Sequence, residues 1–135
     1  MTYISESLRY RVLQRAEERC EYCHLHRRHG LFSHVIDHIH AEKHQGQTVE
    51  SNLCLACADC NRFKGSDLCS LDPETGQVVA LFHPRRDEWS AHFRLQEQGM
   101  IMPLTPSGRV TVFLLRMNAL ETITERQALI ALGEF

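Results

Sequence analysis

The chain has 135 residues and a formal charge of -2, with 43% hydrophobic and 24% charged side chains. That is enough for one hydrophobic core and short for two, so the expectation is a single domain over residues 1–135. The charge excludes a protein that coats nucleic acid by bulk electrostatics, and no run of about 18 apolar residues argues for a membrane span. The first residues, M-T-Y-I-S-E-S, have neither the basic start nor the apolar middle of a signal peptide, so a soluble, cytoplasmic protein is expected, with no membrane partner. Residues 1–70 carry nine basic and nine acidic side chains, against six and eight in residues 71–135. Any nucleic-acid face therefore belongs to the first half.

Taken in order, Ser5 can cap a helix whose Leu8, Val12, Leu13 and Ala16 fall on one stripe, ending near Arg19. It delivers Cys20 and Cys23, followed by the polar loop H-L-H-R-R-H-G, whose His24, His26 and His29 are read as solvent-facing. Leu31 to Ile36 reads as a strand with Asp37 and His38 at its exit. A long loop through Gly46 follows, with a returning strand near Val49. A short helix is expected from Cys60 to Lys64, with Gly65 as terminator. Asp72-Pro73-Glu74-Thr75-Gly76 is turn chemistry and V-V-A-L-F reads as a strand. Trp89, Ala91, Phe93 and Leu95 alternate with polar residues and predict another strand, which Gln98-Gly99 turns towards M-I-M-P-L. Thr105 and Pro106 open a helix carrying Val110, Phe113, Leu114 and Met117, which Asn118 can stop in the left-handed conformation. A last helix runs from about Glu121 to Leu132. The second half reads as scaffold.

Cys20-x-x-Cys23 and Cys57-x-x-Cys60 are two knuckles 33 residues apart, the pattern of a closed tetrahedral zinc site. In a reducing compartment such thiols are spared from disulfides. Buried free thiols remain an alternative, as does iron-sulfur ligation through Cys54, although the fourth ligand of that run would fall where Lys64 stands. Cys54 and Cys69 are otherwise read as small core residues.

The segment from Val35 to Gly65 also holds a set of groups that phosphodiester hydrolysis requires. His38 can accept a proton near neutral pH. Asp37 and Asn61 offer hard oxygens suited to Mg²⁺ or Mn²⁺. Arg62, Lys64 and His44 can face phosphate, and Asn52 can bond backbone across the loop and fix where His38 points.

Asp37-His38, Asn52-Leu53 and Cys57-x-x-Cys60-Asn61-x-x-Lys64-Gly65 together resemble the HNH endonuclease motif, in the form that small stand-alone bacterial proteins carry. The resemblance implies an α+β fold with a ββα-metal core over residues 19–66, a four-cysteine zinc site, and a β plus two-helix extension over 67–135. It implies His38 as general base, Asp37 and Asn61 as ligands of the catalytic divalent ion, Asn52 as the loop-ordering residue, and DNA as substrate. The family often shows Pro where Ala41 stands and Gly-Gly where Gln45-Gly46 stands, differences that bear on loop conformation more than on chemistry. The rival reading is a zinc-ribbon nucleic-acid-binding module without catalysis, which uses only the cysteines and basic residues. A thiol redox protein is a weaker rival, since neither knuckle sits in a strand-to-helix redox context.

Overall fold

The computed structural model describes residues 2–135, which divide into two compact units, one up to Asp67 and the other Leu68–Phe135. The expected α+β class is what is observed: three two-stranded antiparallel sheets among short helices.

The first unit opens with α1, Glu6–Arg15. Ser5 caps it by accepting a hydrogen bond from the Leu8 amide. The helix stops before Arg19 because Glu17 and Glu18 take positive φ (54° and 60°) and reverse the chain. The first strand is β1, Val35–His38, later than the expected run; Leu31 and Phe32 are left 91% and 69% exposed instead of pairing. Asp37 and His38 therefore lie within the strand. Its partner β2, Leu53–Ala56, also begins later than Val49, with Asp37 opposite Cys54 and His38 opposite Leu53. Ile4, Val12, Leu53 and Leu55 form a small apolar cluster under α1. The second helix, α2, spans Ala58–Lys64 with the Cys57 sulfur as its N-cap acceptor, and Gly65 (φ 53°) ends it.

Between β1 and β2, Asn52 clamps the loop. Its Oδ1 accepts from the His40 amide, and its Nδ2 donates to the carbonyls of His40 and Gln47, each at 2.9 Å. Gly46 passes so close to the His40 carbonyl that a Cβ would fall 1.7 Å from its oxygen. Any side chain there breaks the clamp. The two departures from the family pattern are tolerated locally: Ala41 keeps φ -61°, the value a proline would impose, while Gln45 takes the left-handed region at φ 69°.

The second unit pairs β3, Cys69–Leu71, with β4, Val78–Ala80, and β5, Phe93–Leu95, with β6, Ile101–Pro103. Three expectations change here. Trp89–His92 forms one helical turn, α3, rather than a strand, because helical spacing brings the Trp89 and Phe93 rings to 5.1 Å; four residues of strand would hold them about 13 Å apart. After α4, Pro106–Leu114, it is Arg116 that takes the left-handed conformation, while Asn118 uses its amide to pair with the Ile101 backbone at 2.9 Å on both sides. Cys69 is exposed on the β3–β4 hairpin, not in the core, whereas Cys54 is fully buried. The chain closes with α5, Leu120–Ala131. Among the described residues no helix is long and apolar enough to cross a membrane.

Candidate metal centres and catalytic residues

The turn after α1 supplies Cys20 and Cys23, and the junction of β2 with α2 supplies Cys57 and Cys60. The four sulfurs lie within 4.8 Å of one another and all four residues are buried. Cys23 Sγ sits 3.7 Å from Cys57 Sγ, and a tetrahedral zinc with bonds of about 2.3 Å needs sulfurs about 3.8 Å apart. Each knuckle also points an amide at its first sulfur: Cys23 N to Cys20 Sγ at 3.5 Å, and Cys60 N to Cys57 Sγ at 3.4 Å. Burial alone would raise the Cys20 thiol, yet hydrogen bonds from Cys23, Cys57 and Cys60 hold it well below the usual thiol value. The donor set is soft and closed, with no fifth ligand grouped with it among the described residues, so it can hold a zinc ion that does no chemistry. Cys54, pushed up by burial and standing apart from this cluster, is an inert thiol beside the Tyr22 hydroxyl.

The second group gathers around the end of β1. Asp37 is 8% exposed and its Oδ2 lies 3.0 Å from Lys64 Nζ, an ion pair whose angle leaves Oδ2 without a directed hydrogen-bond donor. Lys64 also donates to the His38 carbonyl at 3.1 Å. Expected to face phosphate, Lys64 is instead 2% exposed and turned inward, because the buried carboxylate is the stronger attractor. Burial pushes the Asp37 carboxyl above its ordinary value, and Lys64 offsets that only in part.

His38 is half-buried. Its Nε2 lies 2.9 Å from Thr48 Oγ1 and 3.9 Å from Glu42 Oε1, and Nδ1 has no partner among the described residues and is not enclosed. A ring held at one nitrogen and open at the other is the arrangement a proton acceptor requires. Asn61 lies one turn before Lys64 on the same face of α2, so the Lys64–Asp37 pair turns it towards β1, and its amide has no partner among the described residues. One buried carboxylate oxygen and one unpartnered amide are hard donors that fit Mg²⁺ or Mn²⁺, with the remaining positions left for water and phosphate.

Of the other expected contacts, Arg62 stays at the surface, shared between Asp59 at 3.4 Å and the Phe63 ring at 4.6 Å. His44 is exposed, with Nε2 3.1 Å from the Ser66 carbonyl. His24, His26 and His29, read as solvent-facing, are half-buried. Three residues of the site carried no signal of their own in the sequence. Thr48 and Glu42 reach His38 only through the loop that Asn52 folds. Tyr22, inside the first knuckle, is fully buried and hydrogen-bonds the Asp37 carboxylate, joining the cysteine cluster to β1.

Residues 20–67 match the family model of the HNH endonucleases, so the resemblance is borne out over that segment. The chain is also similar to the Septu protein PtuA of Bacillus mycoides (strain KBAB4), with 30% identity over 79 residues. That match covers 51% of this chain and 11% of the PtuA chain. No solved structure gives a significant match.

Proposed function

We propose that the protein is a divalent-metal-dependent endonuclease that hydrolyses DNA phosphodiester bonds, with His38 as general base. The observation that carries this reading is the asymmetry of the His38 ring: Nε2 is engaged by Thr48 and Nδ1 is open, while Asp37 and Asn61 offer oxygens from β1 and α2. His38 Nδ1 takes the proton from an attacking water. When bound at Asp37 and Asn61, a magnesium or manganese ion supplies charge stabilisation for the leaving oxygen. Lys64 keeps the Asp37 carboxylate in place and ties the His38 backbone to α2. Arg62, exposed on α2, contacts phosphate, as does His44. The cysteine cluster holds structural zinc and fixes the strand-to-helix junction that presents Asn61. A zinc-replete preparation freed of magnesium and manganese, given plasmid DNA, tests the reading: cutting appears on adding Mg²⁺ or Mn²⁺. DNA binding without cutting under any divalent ion tested would instead establish the zinc-ribbon binding module.

A further inference from the structure

The polar loop after the first knuckle has no part in the chemistry above, yet it forms one wall of a cavity of about 510 Å³ within the first unit. The other wall is apolar: Leu13 from α1, Ile36 from β1 and Leu55 from β2. Arg9, Arg27 and Arg28 also line it, the last donating its Nε to His29 Nε2 at 3.3 Å. Against these three cations the cavity sets one carboxylate, Glu18, which Arg27 pairs at 2.8 Å. Arg9 donates only its Nε, to the Ile4 carbonyl at 3.2 Å, so its terminal nitrogens have no acceptor among the described residues. The field is positive enough to be felt by His26, whose imidazole is held below its usual value by burial and then by Arg28 and Arg19. Phe32, 69% exposed, lies in the same segment that brings Ser33 and His34 to the wall.

An apolar wall takes the flat face of a base, and the terminal nitrogens of Arg9, with the charge of Arg28 beside them, take phosphate. A protein of net charge -2 has no reason to gather arginines around an apolar hollow for a neutral apolar ligand. The size also suits one nucleotide, since small-molecule cavities run from about 300 to 1,000 Å³. Side chains two apart on a strand share a face, so Ile36 in this wall and His38 are neighbours about 7 Å apart on β1. We infer that this cavity is a nucleoside-phosphate site, and that it takes a nucleotide of the strand bound beside His38; the identity of the strand as the one being cut rests on the proposed function, while the cavity does not.

The test is a binding measurement on zinc-replete full-length protein without added Mg²⁺ or Mn²⁺, so cleavage does not enter. Fluorescence anisotropy of a labelled single-stranded oligonucleotide should give saturable binding. The double variant Arg9→Ala/Arg28→Ala, whose side chains are exposed, should weaken it by about tenfold or more, and Arg94→Ala, exposed on β5, by much less. Competition by AMP separates the two sources of the ligand. Displacement by AMP shows that a free nucleotide suffices, whereas loss in the double variant without AMP displacement assigns the site to a strand. Amide NMR of the wild type reads the same site without any variant: the oligonucleotide should shift Leu13, Ser33 and Ile36. Equal affinity in the double variant, displacement by inorganic phosphate as readily as by AMP, or shifts that leave those three amides unmoved would each overturn the inference. Intact binding with no cleavage in a separate Mg²⁺ assay would sink the nuclease reading and leave the cavity standing.

Discussion

The two units of this chain are nearly equal in length but are held by different means. In the first, the buried apolar cluster is four residues, Ile4, Val12, Leu53 and Leu55, and the interior otherwise holds five cysteines, Tyr22, Ile39, Ala56, Asn52 and the Asp37–Lys64 ion pair. In the second, Phe82, Phe93, Ile101, Val110, Leu115 and Met117 are all buried, and the polar groups among them are bonded: Thr111 to the Phe82 amide, and Arg126 to the carbonyls of Gly99 and Met117. A small core with many polar groups does not hold itself against chain entropy and needs a staple. The unit that holds the HNH match has less apolar packing and more positioned polar groups than the other.

The largest effect should come from removing the staple. Elemental analysis should find one zinc per chain, and chelation or Cys20→Ser should remove on the order of 10 kcal/mol of binding free energy from the first unit. Hydrogen exchange should then show β1, β2 and α2 unprotected while α4 and β6 keep their protection. Equal loss in both units would break the comparison. The next effect is Lys64→Ala, which leaves a buried carboxylate uncompensated and should lower stability in urea by about 3–5 kcal/mol. Arg62→Ala removes an exposed pair with Asp59 and should cost less than about 0.5 kcal/mol, although the sequence offers no hint that these two cations of one helix differ so much.

A pH effect should mark the second unit. Arg109 hydrogen-bonds the Asp72 carboxylate at 3.1 and 2.8 Å, and the Glu74 amide adds a third bond; together they hold its pKa down at about 2. A depressed carboxyl stabilises the fold above the unfolded value of about 3.9, and that contribution is lost as pH falls through the folded value. Thermal melts should therefore fall between about pH 4 and pH 2 in wild type and be flatter in that window for Asp72→Asn. The smallest effect belongs to Cys69→Ser, on the exposed hairpin, which should leave zinc content unchanged and stability within about 0.5 kcal/mol.

What the sequence made legible was whatever depends on spacing along the chain. Two Cys-x-x-Cys knuckles, a Ser cap, a Thr-Pro helix start and the Asp-His, Asn and Asn-x-x-Lys positions are local patterns, and local patterns survive without knowledge of the fold. The misses share a cause. Lys64 turns inward because Asp37 is buried across from α2, Trp89 sits on a helical turn because Phe93 stacks with it, and Asn118 bonds to Ile101 instead of ending a helix. Each was decided by a partner distant in sequence or by packing that hydrophobic alternation does not record. The same holds for Thr48, which reaches His38 only because Asn52 and Gly46 fold the intervening loop.

On the proposed function, the polar groups of the first unit aim His38 at a phosphodiester. Cleavage and DNA affinity measured side by side for wild type and His38→Ala, at saturating Mg²⁺ or Mn²⁺ and with zinc content matched, test it most directly. Loss of the proton acceptor should slow cleavage by about two to four orders of magnitude while affinity changes less than about twofold. Cleavage by His38→Ala at the wild-type rate would contradict it.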